Sequence, residues 1–405
     1  LASQHIIVSY PGKGSFTLNT KTLEPVIDIH TLSQEHSLQE QHSSPKFIDA
    51  RFIQFYNTGQ MQLNNHSLTP DFTLEHYLES INANTQSRWA QITPSFYEAL
   101  ETTLMHLLKP SDTLLCFELT YHCLSSLANK HNFNIKTLAL DENKIDFTAL
   151  EQYCKIYQPA AFFIHSHIQN PTGLILTDSD KTLVVEICNQ YNVRIIEDAS
   201  LNWSINHTHH FTNLSPNNTF SLTSLSSLPF VQSDQCIIQV PQSFQFEFEL
   251  SLSNNNHLAQ SIILNQLNRF SLNLNEIQNS LNVKSNLLEV LKQSTLKLKN
   301  SFNISHGLLW INCSSTEQSN RLKMLLGDKK VLTLTQESFN TEYEECWNRR
   351  IHNQNCCGVR VCFGHLNAIE IEHLINLIIQ CMTQLQLSSS HNQYKQTQPN
   401  YLNAT

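Results

Sequence analysis

Lysine and arginine are missing from the middle of this sequence. No lysine lies between Lys181 and Lys284, and histidine is the only basic residue type between Arg194 and Arg269. A segment without lysine supplies no amine for a Schiff base, and a segment without lysine or arginine has no strong cation for a phosphate. The lack of these residues therefore excludes a Schiff-base lysine and a phosphate-binding lysine or arginine from this part of the chain.

Glycine is also scarce. Eight glycines occur in 405 residues, and none lies between Gly59 and Gly173. An average protein has about 7% glycine. Loops that hold a phosphate through backbone N–H groups use glycine because it lets the backbone approach the ligand. A glycine-rich phosphate loop is therefore excluded from this long segment.

Long apolar runs are absent as well, and no run approaches the roughly 18 residues that span a bilayer. Residues 1–16 lack a charged leader followed by an apolar centre, so we expect no signal peptide. The length of 405 residues allows two domains, or one large domain with a smaller appendage, and the 40% hydrophobic content predicts a packed core. A net charge of −9 argues against broad nucleic-acid binding by the chain as a whole.

Cysteine and histidine are plentiful but are not spaced as metal ligands. Cys356 and Cys357 are adjacent, and the eleven cysteines form no metal-binding pattern. His207, His209 and His210 also lack a zinc spacing. We therefore expect reduced thiols, a cytoplasmic location and no metal.

The first 47 residues contain a predicted hairpin and a linker. Residues 6–16 alternate as a strand, a Pro-Gly turn and a second strand. Residues 19–47 are polar and contain Pro25 and Pro45, which is typical of an interdomain linker.

From residue 92 the pattern alternates between helices and strands. This alternation predicts an α/β domain over residues 48–275, with a mostly parallel sheet covered on both faces. The predicted helices are 97–108, 124–131, 147–156 and 177–191, and the predicted strands are 113–117, 135–140, 160–165 and 193–197.

The last third predicts a smaller α+β domain over residues 276–387. Its predicted helices are 281–299 and 369–385, and its predicted strands are 307–312 and 358–364. Residues 388–405 are polar, and we expect a disordered tail there.

Two motifs carry a resemblance to a known family. An Asn-Pro-Thr-Gly turn occupies residues 170–173, and about 25 residues later a β-rich run ends in Glu197 and Asp198. This pair of motifs resembles the class I/II aminotransferases, which hold pyridoxal phosphate as a Schiff base on a lysine. The resemblance implies the type I pyridoxal-phosphate fold over roughly residues 90–385.

With the hairpin added, the chain is most similar to the MocR-type regulators, in which a GntR-like winged helix precedes an aminotransferase-like domain. Residues 6–16 resemble the last hairpin, or wing, of that winged helix, although an ordinary hairpin is the alternative. The resemblance implies DNA binding through the winged-helix part that this chain mostly lacks. We therefore expect the chain alone to bind DNA weakly and without sequence preference.

Four residues match ligand-binding positions of the family. Tyr121 matches the ring that stacks on the cofactor, Asn170 the amide that contacts its phenolic oxygen, and Asp198 the carboxylate that keeps its pyridine nitrogen protonated. Arg360 matches the arginine that binds a substrate carboxylate. The alternatives are a core tyrosine, a structural turn and a surface arginine. We expect the four residues to converge on one open, wet cleft.

Other positions depart from the family pattern. Residues 92–100 fall on its phosphate loop, where Pro94 removes a donor and Phe96 adds bulk, so this loop is predicted to start a helix without cradling a phosphate. Ser227 falls on the Schiff-base lysine, and Asp234 falls on the arginine that neutralises the phosphate. A decayed cofactor site is therefore predicted.

These observations predict the effector-sensing and dimerisation part of a MocR-like regulator. The resemblance implies a homodimer, and Arg360 implies a small carboxylate or amino-acid ligand. We expect no catalytic residue and no cofactor. One alternative is a pyridoxal-phosphate-dependent aminotransferase whose amine comes from elsewhere in the chain. The other is a remnant without function.

Overall fold

The computed structural model describes residues 7–10, 14–17, 48–51, 71–141, 144–205, 209–229, 231, 233–252, 257–289, 291, 302–340 and 357–396. The chain divides into two compact units, residues 1–47 and 48–405. In the first unit, β1 (Ile7–Tyr10) and β2 (Gly14–Thr17) form an antiparallel hairpin, as predicted. The predicted linker at 19–47 lies outside the described residues.

The second unit contains the strands and helices of both predicted domains. Its strands are β3 (Ile48–Asp49), β4 (Arg88–Thr93), β5 (Thr113–Phe117), β6 (Asn134–Leu138), β7 (Leu140–Asp141), β8 (Lys144–Ile145), β9 (Ala161–His165), β10 (Arg194–Asp198), β11 (Thr219–Ser224), β12 (Cys236–Pro241), β13 (Phe302–Ser305), β14 (Leu308–Asn312), β15 (Val331–Leu332), β16 (Leu334–Thr335) and β17 (Gly358–Cys362). Its helices are α1 (Leu74–Ser80), α2 (Phe96–Leu107), α3 (Leu124–His131), α4 (Phe147–Tyr157), α5 (Asp178–Gln190), α6 (Phe211–Leu214), α7 (Gln245–Ser251), α8 (His257–Leu272), α9 (Leu274–Leu288), α10 (Thr316–Asp328) and α11 (Ala368–Gln396).

A seven-stranded sheet organises the larger part of this unit. Its strand order is β4-β12-β11-β10-β9-β5-β6. Strand β12 runs antiparallel to both of its neighbours, and the other neighbouring pairs are parallel. The predicted mostly parallel sheet is therefore confirmed, and the carboxyl ends of β9, β10 and β11 lie at one edge.

Helices cover both faces of this sheet. Phe163 and Ile196 pack in a cluster with residues of α2 and α3, whereas Phe162 and Ile195 pack in a cluster with residues of α4 and α5. Because side chains alternate along a strand, neighbours in sequence serve opposite layers. The same alternation decides which layer each polar residue at the strand ends enters.

Several helices start at side-chain caps. The hydroxyl of Ser95 accepts the N–H of Glu98, and the carboxylate of Asp146 accepts the N–H of Ala149. Thr177 and Asp180 form a capping box at the start of α5. Such caps satisfy N–H groups that have no partner inside the helix. They explain why α2, α4 and α5 start within one residue of the predicted positions.

A four-stranded sheet, ordered β13-β14-β17-β16, forms the C-terminal part. Strand β3 pairs parallel to β15, and Ile48 and Ala50 pack in the C-terminal core. The sequence assigned these residues to the larger domain, and that assignment is wrong for residues 48–50. They join the C-terminal part because their apolar side chains and backbone groups find partners there.

The two helices of this part also differ from prediction. Helix α9 starts at Leu274, seven residues before the predicted start, and most of the predicted stretch beyond Glu289 lies outside the described residues. Helix α11 continues to Gln396, so the prediction of disorder from residue 388 is wrong up to that point. No helix in the described part of the chain is long and apolar enough to cross a membrane.

Candidate functional site

Asp198 ends β10 and pairs with a histidine that ends the neighbouring strand. Its register partner in β9 is His165, and His165 Nε2 lies 3.2 Å from Asp198 Oδ2. The N–H of Ser200 donates to Asp198 Oδ1 at 3.0 Å. Parallel strands in register place their last side chains next to each other, and this explains the contact.

The environment of Asp198 favours its charged form. Burial raises the pKa of this carboxyl, but the charge and hydrogen bond of His165 and the hydrogen bonds of Ser200 outweigh burial and leave the pKa lowered. Asp198 is 9% exposed. The expectation of an open, wet cleft is therefore wrong at Asp198, because His165 and Ser200 compensate its buried charge.

Ser227, at the position matched to the Schiff-base lysine, closes a turn. It lies in a short 3-10 helix after β11 and is buried. Its hydroxyl oxygen lies 2.6 Å from the carbonyl oxygen of Ser200 and 2.8 Å from that of Ser224, so its single proton is shared between them or donated to one of them. The backbone N–H of Ser224 in turn donates to the Ser200 hydroxyl at 3.0 Å. Ser227 thus ties the loop after β11 to the loop that holds Asp198.

Arg360 lies in a buried junction between the two sheets. It is 5% exposed, so the alternative of a surface arginine is wrong. Its guanidinium donates to Asn170 Oδ1 at 2.7 Å and to the carbonyl of Arg51, and it lies 4.4 Å from the centre of the Phe339 ring. Burial lowers the pKa of Arg360, and Cys362 opposes that change.

The same guanidinium retains donor capacity. Arginine has five N–H donors, and Nε of Arg360 is buried without a hydrogen-bond partner among the described residues. Asn170 lies at a cis peptide bond to Pro171. Its amide oxygen faces Arg360, so the predicted turn and the predicted arginine belong to one polar group.

Tyr121 packs against an aromatic residue at the start of α2. Its half-buried ring contacts Phe96 in an edge-to-face arrangement, with ring centres 5.0 Å apart, and the ring of His122 at 4.9 Å. Burial raises the pKa of Tyr121, with further contributions from Cys123 and the charge of Asp198. Burial lowers the pKa of His122, and the charge of Arg360 adds to this effect. Of the four matched residues, Arg360 and Asn170 are in direct contact, and Asp198 is close enough to Tyr121 to influence its pKa.

The segment matched to the phosphate loop starts a helix, as predicted. Ser95 caps α2, and the bulky Phe96 is buried in the core between α2 and the sheet. Asp234, matched to the phosphate-binding arginine, is exposed. An acidic side chain there repels a phosphate instead of neutralising it.

A second polar group lies on the opposite face of the sheet. Lys181 of α5 is fully buried, and its Nζ lies 3.1 Å from His167 Nδ1. Burial lowers the pKa of Lys181, while Asp178 and Glu197 raise it. Burial, Lys181 and two further histidines lower the pKa of His167 to about 3. Glu197 follows Ile195 into this layer, whereas Asp198 follows Ile196 into the other.

Three residues of the site, His165, Arg51 and His122, do not stand in any of the motifs of the sequence. Of these, His165 has a positional signal. The signal that identifies it is its place at the carboxyl end of β9, directly across from Asp198. Arg51 contributes a backbone carbonyl from a distant segment, and no sequence pattern reveals such a contact.

The central part of the chain matches a known protein family. The family model described as aminotransferase class I and II matches residues 72–200, which include Tyr121, Asn170 and Asp198. This stretch is therefore similar to the aminotransferases of class I and II. Ser227 and Arg360 lie beyond the match.

Two curated proteins are each similar to this chain over about a hundred residues. One is an uncharacterized HTH-type transcriptional regulator, YdcR, of Escherichia coli (strain K12), 34% identical over 112 residues that make up 26% of this chain and 23% of that protein. The other is an uncharacterized HTH-type transcriptional regulator, YdeF, of Bacillus subtilis (strain 168), 28% identical over 102 residues, or 25% of this chain and 22% of that protein. The match thus spans less than a quarter of either relative.

Solved aminotransferases share the fold over most of the chain. The multiple substrate aminotransferase from Thermococcus profundus has a TM-score of 0.66 and 12% identity, covering 92% of this chain and 98% of that one. At such low identity the likeness establishes the aminotransferase fold alone.

Proposed function

We propose that this chain is the effector-sensing and dimerisation part of a MocR-like, GntR-family transcriptional regulator whose aminotransferase-like domain has lost its covalent cofactor chemistry. Three findings support the proposal: the similarity of about a quarter of the chain to two HTH-type regulators, its aminotransferase fold, and the absence of lysine between residues 182 and 283.

Ser227 carries the proposal. Where the family pattern has an amine, this chain has a hydroxyl whose single proton already has backbone carbonyl acceptors. A hydroxyl cannot form a Schiff base. The residues at this site therefore do not fit a covalently held pyridoxal phosphate, and the fit of the phosphate is equally poor beside Phe96 and Asp234. We accordingly propose that the domain works without this cofactor.

Lys181 is one buried amine that an active aminotransferase could use instead. It lies in the layer of α5 with Glu197, on the face of the sheet opposite Asp198. Its fully buried Nζ contacts His167. An amine behind the sheet cannot reach a ligand held by Asp198 and Tyr121, and this placement disfavours the enzyme alternative.

The proposed partners follow from the family resemblance and from Arg360. They are a second copy of the chain, DNA bound through a winged helix, and a small carboxylate or amino acid bound at the arginine. The proposed location is the cytoplasm.

The proposal is tested by incubating the purified chain with pyridoxal phosphate, reducing with borohydride and mapping covalent adducts by peptide mass spectrometry. We expect no pyridoxyl adduct at a stoichiometry near one per chain and no transamination of amino acids. A stoichiometric adduct on Lys181, accompanied by turnover, would instead establish the enzyme alternative. Scattered low-level adducts on exposed lysines are the expected background, and Lys130 serves as the internal control for them.

A further inference from the structure

Two cysteines face each other across neighbouring strands of the C-terminal sheet. The register of β14 with β17 pairs Asn312 with Gly358, so the next opposed residues are Cys313 and Cys357. The N–H of Cys313 donates to the carbonyl of Cys357 at 2.8 Å, so the antiparallel pairing continues to this position. Opposed residues of an antiparallel pair project from the same face of a sheet.

This placement suits a disulfide with small adjustment. Opposed residues of the hydrogen-bonded type have Cα atoms about 5.5 Å apart, within the range of about 4.4–6.8 Å that disulfides span. Their Cβ atoms are usually about 4.5–5.5 Å apart, slightly more than the 3.5–4.5 Å of a relaxed disulfide. Both cysteines lie one residue outside their strands, where the backbone can move more easily than within the ladder.

The two thiols have different surroundings. Cys357 is half-buried, and its Sγ lies 3.6 Å from Oγ1 of Thr316, the first residue of α10. Cys313 is buried, and burial, reinforced by Cys357, raises its pKa to about 12. Cys357 is thus the thiol that an external reagent reaches first.

We propose that Cys313 and Cys357 form a thiol–disulfide exchange site for small disulfides of the glutathione type. The Cys357 thiolate attacks glutathione disulfide, forming a mixed disulfide and releasing one glutathione. The Cys313 thiol then loses its proton and attacks the Cys357 sulfur, which forms the Cys313–Cys357 bond and releases the second glutathione. The protein loses two electrons and two protons, and one glutathione disulfide gains them.

The bond would tie β14 to β17 close to the candidate site. Arg360 lies three residues beyond Cys357, and its register partner in β14 is Trp310. A disulfide between strands holds their ends together and restricts local opening of the sheet. The oxidised form would therefore hold the strand that carries Arg360 more rigidly than the reduced form.

The test uses the full chain, first reduced and then titrated with glutathione disulfide against reduced glutathione, with non-reducing peptide mapping after alkylation of free thiols. We expect a Cys313–Cys357 peptide in the wild type, reversed by excess reduced glutathione. Cys313→Ser should stop at a glutathione adduct on Cys357, and Cys357→Ser should take up no glutathione at Cys313. Cys356→Ser, changed at the adjacent thiol, should still form the bond.

Other outcomes would overturn the proposal. They are a wild-type protein in which both peptides remain alkylated at equimolar glutathione disulfide, or a bond that uses Cys356 and disappears in Cys356→Ser. The wild-type map decides the question even if a serine variant fails to fold.

Discussion

At the scale of single residues, burial determines how the polar groups of this protein respond to pH. His167 is 7% exposed and lies against a buried amine, so a proton added to its ring has little solvation to stabilise it. The pKa of this histidine falls from an ordinary value near 6.5 to about 3 for that reason. The unfolded chain takes up the proton near pH 6.5, whereas the folded protein does not.

The first prediction concerns this difference. Between pH 6.5 and about pH 3 the unfolded state binds one proton more at His167 than the folded state, so stability falls as the pH falls through this window. At pH 5 this amounts to about 2 kcal/mol relative to pH 7.5. Replacing His167 with Gln should remove about that much of the acid-induced loss, as measured by urea unfolding at both pH values.

His373→Gln is the matched control, because His373 is an exposed histidine of α11. It should leave the pH dependence of unfolding nearly unchanged. An identical acid-induced loss in His167→Gln and the wild type would contradict the prediction.

Single residues of the site were predicted from the sequence, but contacts between them were not. The motifs identified Asp198, Asn170 and Arg360, because each stands in a recognisable local pattern. They did not reveal that Arg360 donates to Asn170, since 190 residues separate the two in the sequence. Pairing across that distance depends on how two sheets meet.

At the scale of secondary-structure elements, a glycine allows an indole to lie flat against β17. A Cβ atom built on Gly358 would lie 2.5 Å from two ring carbons of Trp310 and 2.7 Å from the carbonyl oxygen of Ile311. Trp310 is 1% exposed, and its indole N–H donates to Asn312. The close approach of the strands at this point therefore requires the absence of a side chain.

The second prediction follows from that contact. Gly358→Ala should destabilise the protein by about 1–3 kcal/mol, because the Trp310 ring and the strand backbone must both move. Gly327→Ala is the matched control: it lies in α10 with nothing within 4 Å of its Cβ position, and it should stabilise by up to about 1 kcal/mol. Chemical denaturation measures both, and equal effects would refute the explanation by close packing.

Elements were the most predictable level of this protein. The spacing of apolar residues predicted α2, α3, α4 and α5 to within about a residue at their starts. The predicted strand 135–140 instead divides into β6 and β7, because Leu140 leaves the sheet and pairs with Ile145. Such a departure depends on a tertiary contact that local propensity does not contain.

At the scale of the whole molecule, Arg360 connects the two sheets of the second unit. Strand β17 supplies its backbone, the turn after β9 supplies Asn170, and the N-terminal segment supplies the Arg51 carbonyl. Its Nε has no hydrogen-bond partner in the described part of the chain. A planar guanidinium with unused donors is suited to a carboxylate.

The third prediction is that the chain binds small carboxylates at this junction. Isothermal titration calorimetry with 2-oxoglutarate and L-glutamate should show binding, and Arg360→Met should weaken it at least tenfold, or by about 1.4 kcal/mol. Arg321→Met, a change at an exposed arginine of α10, should leave the affinity unchanged. Absence of binding to the wild type would leave dimerisation as the remaining role of the domain.

The sequence by itself determined the alternation of helices and strands, the polar residues at the strand ends, and the lack of any lysine between residues 182 and 283. These are properties of local spacing and composition, so they need no knowledge of the fold. Tertiary structure decided that Asp198 pairs with His165, that Arg360 is buried against Asn170, and that Lys181 lies behind the sheet. Each of these depends on strand register and on which face a side chain enters, and packing of distant segments sets both.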